Sequence, residues 1–427
     1  MRISTLQAFN NGVSGIQRNY SNATRTQEQI STGNRILTPA DDPVASVRLL
    51  QLDQQQSVLS QYDSNLTAAK NSLSQEEVTL NSVNTVLQRV RELTVRAGNG
   101  SLDPQDRKSI AAELGEREDE LLGLMNTRNA RGEYLFSGFQ GKTQPFVRAA
   151  DGSYSYQGDE GQRKLQIASS LNVPISDNGK SVFQSVTNAG RVDSALVVNP
   201  NGSTLSVSAP LVQDEVAFSA FPSAGIQVVF NDAPGERSYK VFEYGADTST
   251  ATPLASGSMD QDTSKSDQLV FDGVALQFDG IPVGGETVAV MAGQISVDPV
   301  TGTVTTAAVE NKQGILDTIA NLRKSLEDPG TSASGVRDAV AVALTNLDHG
   351  MVSVDAARGN IGARLNVIES TQTDNEDVTL VNKGVQADLR ELDYAEALSR
   401  LSMQTVVLEA AQQSYVKIAG LSLFNKM

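Results

Sequence analysis

The chain has 427 residues, enough for about two to four domains of ordinary size, and its 39% hydrophobic and 20% charged side chains are typical of a folded protein. Its net charge of −16, from 34 basic and 50 acidic residues, argues against a nucleic-acid surface and against docking on an anionic membrane. It has no cysteine, which excludes a disulfide framework and a cysteine-ligated zinc site.

The charge is unevenly distributed along the chain. Between residues 176 and 309 there are 15 acidic and 5 basic side chains, whereas residues 1–40 contain 4 arginines and 1 glutamate. An acidic middle between near-neutral ends predicts that the middle faces solvent. The opening MRISTLQAFNNGVSG lacks the long apolar core of a secretory signal peptide, and no stretch approaches about 18 apolar residues. If the protein acts outside the cell, we expect export without a cleaved signal peptide.

The first thirty residues contain an apolar stripe with steps of mostly three or four. Such a narrow seam predicts a helix that faces another helix. Gly33 is placed to end this helix, and Pro39 keeps the next segment extended. Asp42 is expected to cap a second helix, with Pro43 at its first position. The members of the stripe are Ile3, Leu6, Phe9, Val13, Ile16, Tyr20, Ala23 and Ile30.

The second helix has a longer seam whose steps alternate between three and four. This is a coiled-coil repeat, and it predicts a rod of roughly 60 Å at 1.5 Å per residue. Asp103 and Pro104 repeat the capping arrangement before a third helix, with Ile110, Leu114, Leu121 and Leu124 on its inner side. The seam consists of Leu59, Tyr62, Leu66, Ala69, Leu73, Glu76, Leu80, Val83, Leu87, Val90, Thr94 and Ala97.

Between about residues 138 and 309 the pattern changes to period two. Segments such as GIQVVF, SYKVFEY, QLVFDGVALQF and ETVAVMA predict strands separated by turns. A helical seam then returns, and the acidic cluster Asp374, Glu376 and Asp377 is expected at a solvated helix end. This seam contains Val340, Leu344, Leu347, Met351, Val354, Ile361, Leu365 and Ile368, and a last helix is predicted from Leu389, Leu392, Leu398, Leu401, Leu408, Tyr415 and Ile418.

The predicted fold class is therefore an elongated α+β protein. A helical coiled-coil framework comes from both chain ends, with a β-rich insertion in the middle. We expect a terminal coiled-coil domain from residues 1–43 and 386–427, a helical rod domain with β-hairpins from residues 44–175 and 306–385, and a variable β-rich outer domain from residues 176–305.

The terminal stripes predict assembly. A single apolar stripe weakened by Gly12 and Gly15 does not offset the entropy of ordering thirty residues, so the first helix needs partners along its length. One partner is the last helix, but that pair leaves Val406, Val407 and Leu423 facing outwards. We therefore expect terminal residues to form an intermolecular interface: Ile3, Leu6, Phe9, Val13, Ile16, Tyr20, Ile30, Leu398, Leu401, Leu408, Tyr415 and Ile418.

The stretch STGNRILTPADDPVAS between the first two helices resembles a signature of the flagellin superfamily, in its hook-associated protein 3 (hook–filament junction) branch. The motif residues are Gly33, Asn34, Arg35, Pro39, Asp41, Asp42 and Pro43. The segments RISTLQAFNNGVSGIQRNYS, GEYLFSGFQGKTQPF and DYAEALSRLSMQTVVLEAAQQSYVKIAGLSLFNKM are similar to the same branch. The resemblance covers residues 1–150 and 310–427, and leaves the middle without a counterpart.

The resemblance implies a structural subunit of the extracellular bacterial flagellum that joins the hook-associated protein 1 layer to the flagellin filament. Its implied partners are copies of itself in a ring, hook-associated protein 1, flagellin, and an export chaperone at the C-terminal helix. It also implies type III export. No catalytic residue, cofactor or metal is expected.

The main alternative is flagellin itself, whose members resemble SGLRINSAKDDAAG at the position of the loop. An enzyme on the insert is disfavoured, because the single histidine, His349, lies in a predicted helix without a nucleophile motif. Asp41 and Asp42 are better explained by a turn and a cap than by a metal. The acidic insert is expected to be a solvated surface, and a receptor-binding insert is the other possibility.

Overall fold

A computed structural model describes residues 2–199, 203–231, 237–260, 262, 265–298 and 303–424, but not the side chains of residues 2–6, 8 and 418–424. The chain divides into two compact units. Among the described residues, the first unit comprises those within 1–67, 166–171 and 367–427, and the second comprises those within 68–165 and 172–366. The predicted three-domain boundaries differ from this division and stay a prediction.

Seven α-helices occur among the described residues. The predicted mixture of terminal helices and a β-rich middle is confirmed. None of the described helices contains an apolar stretch of the length needed to cross a membrane. The helices are α1 (Arg2–Thr32), α2 (Pro43–Ala97), α3 (Pro104–Met125), α4 (Glu215–Phe218), α5 (Ile315–Glu327), α6 (Ala333–Arg390) and α7 (Tyr394–Phe424).

In the second unit, the seam of α2 is the helical core. Every seam residue from Ala69 to Ala97 is buried, because steps of three and four place them on one side of the helix. Asp103 accepts a hydrogen bond from the Asp106 N–H at 2.7 Å and caps α3 as predicted. The same unit contains α3, α5 and residues 333–366 of α6.

Strands fill the middle of the chain. Two antiparallel sheets enclose a common hydrophobic core that includes Val228, Val241, Leu276 and Val290. Asp272 and Gly273, with φ of 43° and 76°, form the two-residue turn of one hairpin. The larger sheet has β6 (Val192–Val198), β9 (Ile226–Phe230), β10 (Ser238–Glu243), β11 (Ala255–Ser258) and β14 (Thr287–Ala292), and the smaller has β7 (Ser206–Val207), β8 (Leu211–Val212), β12 (Asp267–Phe271) and β13 (Val274–Asp279).

The remaining strands are short and lie outside these two sheets. The pairs β1–β2, β15–β16 and β5–β17 are antiparallel. A π-helical turn, Lys180–Gln184, precedes β5. The strands are β1 (Phe146–Arg148), β2 (Tyr154–Tyr156), β3 (Lys164–Gln166), β4 (Asn172–Pro174), β5 (Val186–Thr187), β15 (Gln294–Val297), β16 (Val304–Ala307) and β17 (Lys312–Gln313).

Helix boundaries near the C-terminus differ from the sequence prediction. The acidic cluster around Asp374 is exposed, but it lies inside α6 and does not end the helix. Charged side chains on the exposed face of a helix do not interrupt its backbone hydrogen bonds. Here Gln372 also donates to Glu376 one turn later at 3.2 Å. The prediction that Leu389 and Leu392 belong to the last helix is also wrong. Leu389 lies in α6, and Leu392 lies in the break before α7.

We expect a charge at Leu80 to destabilise the second unit. Leu80 is fully buried, and an unpaired carboxylate at such a position costs about 3 kcal/mol or more in the free energy of unfolding. Val78 on the same helix is 67% exposed, so Val78→Asp is the matched control. Urea unfolding followed by circular dichroism should show a lower midpoint for Leu80→Asp and a near-normal one for Val78→Asp. Equal midpoints would remove Leu80 from the core.

Candidate assembly site at the chain termini

The helices α1 and α7 pair within the first unit, and an aromatic contact marks their interface. The ring centroids of Phe9 and Tyr415 are 5.2 Å apart. Gly12 lies beneath the same tyrosine, and a Cβ atom at this position would be 3.3 Å from the Tyr415 ring. A glycine here lets the ring approach the backbone of α1, although it lowers the helix propensity of that turn. The predicted pairing of the two terminal helices is therefore observed within one chain.

The pair buries only a narrow stripe near the loop that follows α1. Its buried positions include Ala23, Thr26 and Gln29 of α1 and Ala397 of α7, and Leu392 in the break before α7 is buried too. Two helices in contact each cover about one side of the other, so the residues farther round each helix stay accessible. The buried positions of the two helices are therefore mostly small or polar, whereas the larger apolar side chains are at most half-buried.

The predicted interface residues are partly or largely accessible in the single chain. Phe9, Tyr20 and Leu398 are 47%, 64% and 55% exposed. A second group is half-buried, and it comprises Val13, Ile16, Ile30, Leu401, Leu408 and Tyr415. The side chains of Ile3, Leu6, Ile418 and Leu423 lie outside the described residues. The intermolecular role of the whole set stays a prediction.

The accessible apolar surface of α7 is extensive. Met403, Val406, Val407 and Val416 are 71%, 63%, 46% and 67% exposed, which agrees with the expectation that Val406 and Val407 face outwards. Met403 and Val407 are one helical turn apart, so their exposed side chains lie on the same side of α7. Neighbouring exposed apolar side chains are typical of interaction sites.

The loop after α1 is tied to the break between α6 and α7. Gly33 ends α1 with a φ of 72°, a conformation that favours glycine. The Leu392 N–H donates to the Gly33 carbonyl at 3.0 Å, and the Arg35 N–H donates to the Arg390 carbonyl at 2.8 Å. Asn34 and Glu391 face each other between these two bonds. Residues 33–35 of the loop motif therefore form one half of an antiparallel bridge to residues 390–392.

Asp41 organises the second half of the loop. Its Oδ2 accepts the Leu37 and Thr38 N–H groups, each at 3.0 Å, and its Oδ1 accepts the Thr38 hydroxyl at 2.8 Å. Arg25 of α1 forms an ion pair with the same carboxylate. The hydrogen bonds from Thr38 lower the pKa of Asp41 below its ordinary value of 3.8. The carboxylate is thus a turn-forming acceptor at neutral pH, as its predicted place in a turn implied.

The residues after Asp41 start α2 as predicted. Asp42 Oδ1 accepts the Ala45 N–H at 3.0 Å, and Pro43 occupies the first helical position. Pro39 was expected in an extended segment, but it lies in the turn in which the Asp41 N–H donates to the Thr38 carbonyl at 3.0 Å. All members of the predicted loop motif therefore lie in one hydrogen-bonded segment.

Sequence analysis missed several polar residues that hold this region together. Gln29 Nε2 donates to the Arg35 carbonyl at 2.6 Å, and Asp53 of α2 accepts from Gln386 at 3.0 Å and lies 3.6 Å from Arg390. Asp393 caps α7 by accepting the Ala395 N–H at 2.9 Å. The spacing of Asp393 and Glu396 is that of a capping box, which was a usable signal. Long-range partners such as Asp53 and Arg390 have no local signal.

His349, the single histidine, lies in the second unit. It is half-buried in α6, and its Nδ1 lies 3.0 Å from the Thr187 carbonyl oxygen. This agrees with its predicted place in a helix.

Comparison with known proteins defines the class first. Residues 3–141 match the family described as the bacterial flagellin N-terminal helical region. With its paired terminal helices and β-rich middle, the chain has a flagellin-like fold. The matched residues 3–141 include nearly all of α1, the loop motif, α2 and α3.

Within this class the chain is similar to flagellar hook-associated protein 3. It is 36% identical to that protein from Salmonella typhimurium over 203 residues, and 34% identical to the one from Escherichia coli over 203 residues. Each alignment covers 48% of this chain and 61% of the relative, so the chain spans less than two thirds of either. The flagellar junction protein FlgL of Legionella pneumophila has a similar structure, with a TM-score of 0.61 at 25% identity, covering 81% of this chain and all of that one.

We expect Asp41→Ala to loosen the loop. The Leu37 and Thr38 amides lose their shared acceptor, so their hydrogen exchange should become faster than in the wild type. Because the pKa of Asp41 is lowered, its contribution to stability is present above pH 3.8 and is lost as the pH falls through the lower folded-state pKa. Asp63→Ala, at an exposed position of α2, is the control. Unchanged exchange at both amides would contradict the assigned role of Asp41.

Proposed function

We propose that this protein is a structural subunit of the bacterial flagellum that joins the hook-associated protein 1 layer to the flagellin filament. The observation that carries the proposal is the exposed apolar surface of the paired terminal helices, in a chain similar to hook-associated protein 3. Each such helix pair needs further apolar partners, and copies of the same pair in a ring supply them. The proposed role is mechanical and needs no catalytic residue or cofactor.

The proposed location is the hook–filament junction outside the cell. The relatives named above are flagellar proteins, which supports a flagellar component. Type III export without a cleaved signal peptide, and a chaperone that holds the C-terminal helix beforehand, are parts of the same proposal. The exposed apolar side chains of α7 are a chemically suitable surface for such a chaperone.

A flagellin-type filament subunit is the second candidate. The match of residues 3–141 to the flagellin N-terminal helical region favours it as much as the first. Both candidates use the terminal helices for assembly, so the helices do not separate them. The distinction is whether the protein is the bulk of the filament or a short adaptor beneath it.

A strain that lacks the gene distinguishes the two candidates. If the protein is the junction adaptor, hooks should form and monomeric flagellin should accumulate in the culture medium, because exported flagellin has no layer on which to assemble. If no flagellin of any size is exported and no other filament gene exists, the filament-subunit candidate replaces the adaptor. Complementation with the wild-type gene is the control.

Leu408→Asp should abolish incorporation into the flagellum. Leu408 is half-buried in α7, in the first unit, so the second unit should keep its unfolding midpoint. A carboxylate in an apolar contact between helices costs several kcal/mol without a partner. Ser64→Asp, at an exposed position of α2, introduces the same charge as a control. Swimming of the Leu408→Asp strain at the wild-type rate would remove Leu408 from the assembly interface.

A further inference from the structure

A buried carboxyl group interrupts the apolar seam of α2 in the second unit. Glu76 is 1% exposed, and it lies between Leu73 and Leu80, both of which are fully buried. Its Oε1 accepts the backbone N–H of Asp177 at 3.0 Å. A charged carboxylate in such a place loses its hydration, which is unfavourable unless cations and hydrogen bonds replace the water.

The group that contacts Glu76 belongs to a segment held by several elements. We call residues 175–182 the docked segment. Ser72, one turn before Glu76 on α2, donates to the Ile175 carbonyl at 2.9 Å. From α6, Ser353 donates to the Val182 carbonyl at 2.8 Å. The docked segment therefore depends on α2 at one end and on α6 at the other.

Three charged groups influence Glu76, one from each surrounding element. Asp177 of the docked segment is an acid like Glu76, and Arg364 of α6 donates two hydrogen bonds to Asp177 at 2.9 and 3.1 Å. Arg163, before β3, donates to Glu133 at 2.7 Å. Both arginines thus have carboxylate partners other than Glu76. The direct contact to Glu76 is a neutral amide.

These surroundings favour the protonated form of Glu76. Burial, and after it the nearby Asp177 carboxylate, raise the pKa of Glu76 from 4.5 to about 8, although the Asp177 N–H and the two arginines act in the opposite direction. Both carboxylate oxygens of Asp177 accept a hydrogen bond from Arg364, so this arginine compensates the charge of Asp177 and not that of Glu76. Arg364 neutralises Asp177, and a proton on Glu76 removes the need for a second cation beside the two neighbouring carboxyl groups.

We propose that Glu76 is a proton-dependent latch, which keeps the docked segment on α2 and α6 while it holds its proton and weakens that attachment when the proton is lost. The ligand of the site is the proton itself. Loss of the proton places a second negative charge beside Asp177 in a region with little water, so the segment opens more readily.

The sign of the pH dependence follows from linkage. A group with a raised folded-state pKa contributes stability that is fully present below its unfolded value, 4.5, and is lost as the pH rises through the folded value, about 8. Over this interval the folded protein holds one proton more than the unfolded chain. One such proton changes the unfolding equilibrium constant by up to about tenfold per pH unit.

The experiment compares the full chain in three forms: the wild type, Glu76→Gln and Glu77→Gln. Denaturant unfolding is measured from about pH 5 to about pH 9. We expect the ratio of the unfolding constants of wild type and Glu76→Gln to rise with pH by up to about tenfold per unit and to level off above pH 8. Glu77, a half-buried neighbour, should give a variant that follows the wild type. Parallel curves for wild type and Glu76→Gln would overturn the proposal.

Two measurements on the wild type keep the proposal testable if Glu76→Gln does not fold. Infrared spectroscopy should show the carbonyl band of a protonated carboxylic acid at neutral pH, and that band should disappear as the pH rises through 8. Hydrogen exchange, corrected for its intrinsic pH dependence, should show lower protection of residues 175–182 above this pH than below it. Absence of the band at neutral pH, or protection that does not change, would reject the latch.

Discussion

Two helices in contact cannot cover each other's apolar surface completely, and the rest of this molecule depends on that constraint. Where α1 and α7 pair, the buried positions are mostly small or polar, such as Ala23, Thr26 and Ala397, while Val406 and Tyr20 stay accessible. The pair obtains its local order from the bridge between residues 33–35 and 390–392 and from the Asp41 turn. The remaining apolar surface is available for other chains.

Two buried carboxyl groups of the second unit, Glu118 and Glu76, are compensated in different ways. Glu118 has no exposed surface, but it accepts from Arg148 at 2.9 Å, from Arg323 at 3.0 Å and from the Tyr154 hydroxyl at 2.5 Å. Glu76 accepts a backbone amide and lacks such a set of cationic donors. Two arginines compensate the charge of Glu118, whereas Glu76 depends on a proton. Polar residues in otherwise apolar helix seams thus connect neighbouring elements.

Much of this fold is predictable from the sequence, because its helices follow long apolar repeats and its caps are local. The seam from Ala69 to Ala97, the Asp42 and Asp103 caps and the main hairpins needed no tertiary information. The end of α6 was not predictable, because an exposed acidic stretch resembles a terminus when its neighbours are unknown. The partners of the Gly33 loop lie more than 350 residues away, and spacing along the chain does not reveal them.

The bridge between Gly33 and Leu392 closes the intervening chain into one large loop. The entropy of closing a flexible loop grows only with the logarithm of its length, and doubling the length costs about 0.6 kcal/mol. Strands β6 to β14 lie in the middle of that loop and have a hydrophobic core of their own. Insertions or deletions there consequently change the closure entropy very little. Evolution is therefore free to vary the length of the strand-rich middle while the paired ends keep their register.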